Sequence, residues 1–200
     1  MRAYFPTYVY QEYLKASQVS LRKLNLELVK EAYKIRDFDA KGRRWSKEHY
    51  PNGYTSYGSL FHLNKQSSTF AALEAAIDIH VKKFSKHLGF DLKDSKLEMV
   101  SCWVNIMSEN SSHSLHLHPL STLSGSYYVK MPEGSGDFKI EDPRLAKMMA
   151  APARKEESFV RLKPIEGEVI LFESWLRHEV AQKRGVGEDR ISVSFNYNWF

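Results

Sequence analysis

The sequence contains a single cysteine, Cys102, among its 200 residues. One cysteine excludes an internal disulfide and a zinc site built from several thiolates. No apolar run is long enough to span a bilayer, and the opening residues, MRAYFPTYVY, lack the long apolar segment of a secretory signal. These absences predict a soluble protein of the reducing cytoplasm that has no membrane partner.

The chain also lacks an internal repeat, a low-complexity tract and a Pro/Gly/Ser linker long enough to mark a domain boundary. Its 42% hydrophobic and 13% aromatic residues are typical of a globular protein and exclude a disordered chain. A chain of this length holds one sizeable core. We therefore predict a single domain over residues 1–200, with a helical support region at about 1–95 and a β-roll core at about 96–200.

A concentrated run of basic residues is missing as well, although the formal net charge is +5. Lysine and arginine are scattered and mostly interleaved with acidic residues, and the aromatic-basic motif of an RNA-binding module is absent. Nucleic-acid binding requires basic residues gathered on one face. The charge therefore indicates a solvated surface and argues against a nucleic-acid partner, while an anionic substrate stays open.

Secondary-structure signals differ between the two halves. Apolar residues recur at helical spacing through residues 21–35 and again through residues 70–88. His80 lies beside the second apolar stripe and is interpreted as a histidine at the edge of the core. From about residue 96 the pattern changes to short strands broken by turns. They are LEMVSCWVNIM, TLSGSYYVKM, DFKIEDP, SFVRLKP, GEVILFESW and RISVSFNYNW.

Closely spaced strands without intervening helices predict an antiparallel sheet structure. We expect a mainly β fold with N-terminal α-helices, in which the helices pack on one sheet of a double-stranded β-helix (jelly-roll, cupin-like) core. The last strand alternates apolar and polar side chains, so its apolar face should be buried beneath the helices. That face carries Ile191, Val193, Phe195, Tyr197 and Trp199.

On three of these strands one face carries polar side chains, most of them small, together with Trp103. They are Ser101, Trp103 and Asn105, then Ser124, Ser126 and Tyr128, then Arg190, Ser192, Ser194, Asn196 and Asn198. A single strand of this kind could simply face water. Three of them beside a histidine cluster predict the lining of a polar cavity, where a small molecule is expected to bind.

The histidine cluster is HSLHLH, residues 113–118. His116 and His118 are two positions apart, so in an extended segment both imidazoles project to the same side. His178 ends a distant strand. Together the three could hold a metal ion and leave coordination positions open, although spacing alone also allows three unrelated loop residues. His113 is expected to lie beside such a site or to have no part in it.

A carboxylate receptor is predicted on the last strand. Arg190 and Ser192 share one face, and a guanidinium beside a hydroxyl can bind a carboxylate, the guanidinium in bidentate fashion. A metal at one end of the cavity and an arginine at the other would suit a small dicarboxylate.

In this order the motifs resemble the Fe(II)- and 2-oxoglutarate-dependent oxygenases, in particular a family of bacterial and phage members. The matching pieces are WVN (103–105), HLHP (116–119), LSGSYYV (123–129), EDPR (141–144), LFESWLRHEV (171–180) and DRISVSFN (189–196), with FPTYVY (5–10) at the start. The resemblance implies Fe(II) as cofactor, 2-oxoglutarate as cosubstrate, and hydroxylation of a small-molecule or peptide substrate.

The resemblance also implies individual roles. His116 matches the first iron ligand and His178 the distal one, while Arg190 and Ser192 match the R-x-S that binds the distal carboxylate of 2-oxoglutarate. Tyr128 matches a tyrosine that helps to hold this carboxylate in some members.

Other residues are assigned less closely. Asn105 lies on the preceding strand and could reach the cosubstrate, and Trp103 and Asn196 are expected beside the site or the substrate. Asp142 and Arg144 match the family's D-P-R, for which substrate contact and turn stabilisation both stay open.

His118 differs from the motif of these oxygenases, because most of the superfamily has an acid at this position. Imidazole suits iron, so a ligand set of three histidines is chemically reasonable, and dianionic 2-oxoglutarate could then neutralise the centre. In the alternative, His118 does not bind the metal, and Asp142 or a water molecule replaces it.

Two other functions stay open at this point. One is a three-histidine dioxygenase or cupin-like enzyme that does not use 2-oxoglutarate, and the other is a non-catalytic carboxylate-binding module. A homodimer is also open. The segment 40–60 is interpreted as a loop that forms either a lid or substrate wall, or packing between helices and roll.

Overall fold

The computed structural model describes residues 2, 4–15, 18–144, 148–150, 152, 155 and 157–200. Its helices are α1 (Gln18–Phe38), α2 (Ala40–His49), α3 (Leu63–Gln66) and α4 (Ser68–His87). Its strands are β1 (Val9–Tyr13), β2 (Gly53–Thr55), β3 (Leu97–Met107), β4 (His113–His116), β5 (Leu123–Lys130), β6 (Phe138–Glu141), β7 (Phe159–Leu162), β8 (Glu168–Glu173), β9 (His178–Val180) and β10 (Arg190–Trp199).

The strands form two antiparallel sheets. The larger sheet has the order β1-β8-β5-β10-β3-β2, and the smaller has the order β4-β9-β6-β7. Every strand pairing within both sheets is antiparallel. The prediction of a mainly β fold with N-terminal helices and a β-roll core is therefore confirmed.

The main core lies between the large sheet and the helices. Helix α4 begins where Ser67 accepts a hydrogen bond from the backbone N–H of Thr69 at 3.1 Å, which satisfies one of the free donors of the first turn. Its buried apolar stripe packs on the sheet, as the spacing predicts. The stripe consists of Phe70, Leu73, Ile77, Val81 and Phe84.

His80 is also buried in this core, as expected for a structural histidine. Its Nδ1 lies 2.9 Å from the Tyr10 hydroxyl, and the backbone N–H of Lys15 donates to its Nε2 at 3.2 Å.

The apolar face of β10 follows the predicted alternation for most of its length. Ile191, Val193, Phe195 and Tyr197 are buried against the helical layer. Trp199 was expected on the same buried face, and this expectation is wrong, because 62% of its surface is exposed. It is the last residue of β10 and follows a register shift after Asn196, so the strand has already left the covered part of the sheet.

A second, smaller apolar cluster lies between the two sheets. It consists of Tyr128, Phe138, Ile140, Ile170, Phe172 and Leu176. The polar side chains of β3, β5 and β10 lie on this inner side, so the cluster closes one side of the cavity predicted from their alternation.

The segment 40–60 is not a loop, and that prediction is wrong. It contains α2 and β2, and β2 pairs with β3. The sequence of α2, AKGRRWSKEH, has no helical apolar stripe, and polar contacts help to hold the helix in place. Asp39 accepts from the N–H of Gly42 at 2.8 Å, and Ser46 accepts from the N–H of Thr55 at 3.0 Å.

Short strands β1, β4 and β9 were also missing from the sequence assignment. Because β1 and β2 join the large sheet, the N-terminal region contributes strands as well as helices. No helix in the described part of the chain has the length and apolarity needed to cross a membrane.

Candidate active site

Three histidines from the small sheet and the segment after β4 lie close together in a cavity that residues of both sheets line. His116 ends β4, His178 begins β9, and the two are paired across the strands. His118 follows β4 by two residues. One nitrogen from each ring lies within 4.8 Å of the others, and Nε2 of His118 is 3.3 Å from Nε2 of His178. The sequence-predicted residues are therefore brought together.

Backbone carbonyls fix the orientation of two of these rings. Nδ1 of His116 lies 2.7 Å from the carbonyl oxygen of Ser114, and Nδ1 of His178 lies 2.9 Å from that of Leu176. Since a carbonyl can only accept, each Nδ1 must carry the proton, and each Nε2 keeps a free lone pair. This is the arrangement that prepares histidine for metal binding.

A polar network surrounds the third ring, that of His118. Asn196 lies beside this ring. The Asn196 amide donates to Ser101 at 2.9 Å and accepts from the Ser124 hydroxyl at 2.7 Å. Ser124 also bonds to Ser174, whose carbonyl oxygen accepts from the backbone N–H of His118 at 3.0 Å. Asn196 thus lies beside the site, as predicted, and belongs to the network that holds the backbone of His118.

Burial keeps all three imidazoles neutral. Desolvation, with a smaller contribution from neighbouring histidines, lowers the pKa of His118 to about 4 and that of His178 to about 2. Desolvation also lowers the pKa of His116. Because only a neutral imidazole can bind a metal, the cluster is ready to do so at neutral pH.

Aromatic rings enclose the cluster. Trp103 stacks on His118 with ring centroids 5.9 Å apart, and Phe138 and Phe172 lie 5.2 and 4.5 Å from the His178 ring. Trp103 was predicted beside the site. The two phenylalanines were missed, because Phe172 lies in the continuous apolar run of β8 and Phe138 begins the four-residue strand β6.

A buried guanidinium lies in the same cavity. Arg190 opens β10 and is only 2% exposed. Its Nη1 donates to the sulfur of Met107, and its Cζ lies 5.4 Å from the centroid of the Tyr128 ring. Among the residues that the structure describes, no carboxylate lies within ion-pair distance of it. A buried charge without a counter-ion is costly, so this arrangement calls for an anionic ligand.

Several other polar atoms near Arg190 are buried without a partner in the described part of the chain. They are the hydroxyls of Tyr50 and Tyr128, Oδ1 of Asn105 and Nε of Arg190 itself. All four residues line one cavity with Ser192 and the three histidines. Native proteins rarely leave buried polar atoms unpaired, so these atoms mark the place of a polar ligand.

Asn105 lies on β3 and lines the cavity, on the face that the alternation of this strand predicts. Its Nδ2 donates to Ser194 at 3.0 Å, and Ser194 in turn lies 2.9 Å from the Ser126 hydroxyl. Asn105 therefore reaches into the cavity with its oxygen free.

His113 also lines the cavity, beside the site as expected. Its ring centroid is 4.5 Å from that of His116, and desolvation lowers its pKa to about 3. It is not part of the group whose nitrogens gather within 4.8 Å of one another.

Asp142 and Arg144 lie elsewhere. The Arg144 guanidinium donates to both carboxylate oxygens of Asp142, at 2.8 and 2.6 Å, and the Arg144 backbone N–H donates to the same group at 3.0 Å. This i to i+2 contact stabilises a turn. Both residues line a surface groove next to Trp175. The fold does not gather Asp142 with the three histidines, which argues against the alternative in which Asp142 replaces His118 as a metal ligand. Turn stabilisation and substrate contact both stay open for this pair.

Tyr50 was missed by sequence reasoning. It follows α2 directly, in the segment interpreted as a loop, and no motif distinguishes it from the chain's other tyrosines.

Comparison with known proteins finds a family whose model is similar to part of the chain. Residues 101–196 match the model of a family described as "Putative 2OG-Fe(II) oxygenase". The matched range contains every predicted metal-ligating and carboxylate-binding residue. No curated protein sequence is similar enough to match the chain.

Solved structures share the fold at low sequence identity. A Pseudomonas putida prolyl-4-hydroxylase is 15% identical with a TM-score of 0.62, and the match covers 96% of this chain and 92% of that chain. HygX from Streptomyces hygroscopicus, with nickel, 2-oxoglutarate and hygromycin B bound, is 14% identical with a TM-score of 0.63, covering 96% and 83%.

A third similar structure is a viral collagen prolyl hydroxylase from Paramecium Bursaria Chlorella virus-1, in a 2-oxoglutarate complex. It is 13% identical with a TM-score of 0.57, and the match covers 95% of this chain and 94% of that chain. At such identities the likeness establishes the fold, which is the double-stranded β-helix expected from the sequence.

Proposed function

We infer that this chain, whose residues 101–196 match the model of the "Putative 2OG-Fe(II) oxygenase" family, is such an oxygenase: it binds iron through His116, His118 and His178 and hydroxylates a substrate at the expense of 2-oxoglutarate. The observation that carries this proposal is a single cavity with three imidazole lone pairs at one part and an uncompensated guanidinium at another.

The donor set fits a first-row metal ion. Two nitrogens about 2.1 Å from a shared ion and at right angles to each other are about 3.0 Å apart, close to the 3.3 Å between Nε2 of His118 and Nε2 of His178. Imidazole is a suitable ligand for iron. Because all three ligands are neutral, they leave the full charge of the ion to be balanced by what binds next.

The other residues of the cavity fit the cosubstrate. The Arg190 guanidinium, with the hydroxyls of Ser192 and Tyr128, would bind the distal carboxylate of 2-oxoglutarate. Asn105, on the neighbouring strand, would orient the chain of the ligand between carboxylate and metal. The excess of donors and positive charge supports an anion at this position.

When bound, Fe(II) and 2-oxoglutarate supply the oxidising chemistry, in which 2-oxoglutarate and oxygen yield succinate and carbon dioxide while a substrate C–H bond is hydroxylated. The contribution of the chain is positional. The carbonyls of Ser114 and Leu176 hold two of the imidazoles, and the rings of Trp103 and Phe172 exclude water from the centre.

Within this proposal the substrate is a small molecule or a peptide, and the protein is cytoplasmic. The prolyl-4-hydroxylase and HygX, whose folds are similar, support this range of substrates. The single, buried cysteine is compatible with a reducing compartment. A single domain and a homodimer stay predictions of the sequence.

An anaerobic titration with Fe(II) and 2-oxoglutarate tests the proposal. We expect a metal-to-ligand charge-transfer band in the wild-type protein and its loss in His178→Ala, while His62→Ala, a histidine outside the cavity, serves as the control. Addition of oxygen should then release succinate.

Two outcomes would contradict the proposal. Iron binding without a charge-transfer band or succinate would favour a three-histidine enzyme that does not use 2-oxoglutarate. A band without oxygen consumption at any substrate would favour a non-catalytic binding module.

A further inference from the structure

We propose that Tyr50, a residue of the helical layer, donates a hydrogen bond to the distal carboxylate of 2-oxoglutarate beside Arg190. This inference rests on the proposed function, and it adds a ligand-binding residue that lies outside the family-matched range 101–196.

The position of Tyr50 is set by the end of α2 and by β2. Its backbone N–H donates to the carbonyl of Ser46 at 2.7 Å, which ends the helix. Its ring packs on Gly53, where an added Cβ would lie 2.5 Å from Cε1, and its centroid is 5.2 Å from that of His113. The ring is therefore held rigidly, with little freedom to turn its hydroxyl elsewhere.

The hydroxyl of Tyr50 is buried and unused. The residue is 2% exposed and lines the cavity of the three histidines and Arg190. Its oxygen has no hydrogen-bond partner within the described ranges. A buried hydroxyl that gives up water without gaining a partner destabilises a fold, so a ligand that accepts its proton would satisfy it.

Arg190 determines the kind of ligand. Burial raises the pKa of Tyr50, and the positive charge of Arg190 opposes this rise only in part. The phenol is therefore neutral at physiological pH and acts as a donor. A donor beside an unpaired guanidinium favours an anionic acceptor over a neutral one.

The count of donors points to a carboxylate. The unpaired buried atoms of the cavity comprise the hydroxyls of Tyr50 and Tyr128, one guanidinium nitrogen and a single acceptor, Oδ1 of Asn105. A carboxylate has about four lone-pair sites. The three unpaired donors, on Tyr50, Tyr128 and Arg190, therefore need an acceptor with several lone pairs, and Tyr50 approaches it from the end of α2.

The experiment compares Tyr50→Phe with Tyr127→Phe, because the two changes remove the same atom from two buried tyrosines. The Tyr127 hydroxyl donates to Asn25 at 2.7 Å on the helical side of β5, away from the cavity. For each variant we would measure the affinity for 2-oxoglutarate in the Fe(II)-loaded protein without oxygen, and the thermal midpoint of the metal-free protein.

The two variants should behave in opposite ways. Tyr50→Phe should weaken 2-oxoglutarate binding by about 10- to 100-fold, while the metal-free protein keeps its thermal midpoint or gains, since an unpaired hydroxyl is removed. Tyr127→Phe should lower the thermal midpoint and leave the affinity unchanged.

Unchanged affinity in Tyr50→Phe would overturn the inference, whatever happens to the thermal midpoint. Absence of 2-oxoglutarate binding in the wild-type protein would instead overturn the proposed function itself. A second measurement keeps the hydroxyl at position 50 and so does not depend on whether Tyr50→Phe folds normally. With 3-fluorotyrosine at position 50, addition of 2-oxoglutarate should shift the fluorine resonance, and a resonance that does not move would contradict the contact.

Discussion

Replacing Arg190 by methionine should separate the effect of its buried charge on stability from its role in binding 2-oxoglutarate. The guanidinium is 2% exposed, and its polar contacts among the described residues are the sulfur of Met107 and the face of the Tyr128 ring. Methionine keeps much of the side-chain volume and removes the charge. We expect Arg190→Met to stabilise the metal-free protein and to abolish tight binding of 2-oxoglutarate.

The magnitude follows from these contacts. A buried charge left without a partner costs about 3–5 kcal/mol, and a desolvated cation–π contact returns about 2 kcal/mol. The difference predicts that Arg190→Met raises the free energy of unfolding by roughly 1–3 kcal/mol. Loss of two charge-assisted hydrogen bonds, at about 1.5–3 kcal/mol each, should weaken 2-oxoglutarate binding by roughly 10²- to 10⁴-fold.

Urea unfolding of the metal-free protein and anaerobic titration with 2-oxoglutarate measure the two effects. Arg161→Met is the matched control, because the Arg161 guanidinium is half-exposed and binds Glu157 on the surface at 3.1 Å. It should change neither quantity appreciably. If Arg190→Met lowered the free energy of unfolding by more than about 1 kcal/mol, the unpaired charge of Arg190 would not destabilise the metal-free fold, and this part of the prediction would be refuted. Retained affinity for 2-oxoglutarate would refute its ligand role.

Three further predictions concern the histidines. His118→Asp should retain iron, measured by metal analysis after dialysis, because it restores the acid usual in the superfamily; full loss of iron would contradict this. Binding of 2-oxoglutarate should tighten iron binding in the wild type more than in His118→Asp, because the dianion offsets positive charge that three neutral ligands leave on the ion. Competition with a chelator measures the iron affinity of both proteins, and an equal effect of 2-oxoglutarate on the two would contradict this prediction. The pKa of His178 is lowered to about 2 in the fold, so the unfolded chain takes up the proton first. The metal-free protein should therefore be most stable above about pH 6.5 and lose up to about 1.4 kcal/mol per pH unit from this residue as pH falls, a loss that His178→Gln should remove in urea unfolding.

Much of the site could be predicted because strands impose a simple rule. Side chains two apart share a face, so the polar sets around Asn105, Tyr128 and Ser192 could be assigned to one cavity without knowing the pairing of the strands. The same rule placed His116 and His118 on one side. That His178 joins them depends on the pairing of β4 with β9, and strands of four and three residues give almost no periodic signal.

The parts that escaped prediction depend on contacts between distant segments. Tyr50 reaches the cavity only because α2 ends there and Gly53 lets the ring lie flat on β2. Nothing in the local sequence of α2 encodes that position, since the helix lacks an apolar stripe. Trp199 was misassigned for a related reason: alternation predicts the face of a residue, but not how far along a strand the covering layer extends.

The electrostatics of the cavity explain why its parts belong together. Burial would oppose a charged imidazole, and the lowered pKa values of His118 and His178 keep the rings neutral and available. Burial also makes the charge of Arg190 costly, and no counter-ion in the described part of the chain offsets this cost. The fold therefore holds one permanent cation beside a neutral donor set for a second cation, and both charges must be balanced by a ligand. A dianion that spans the two positions places one carboxylate beside each cation, which a neutral ligand or a monoanion cannot do.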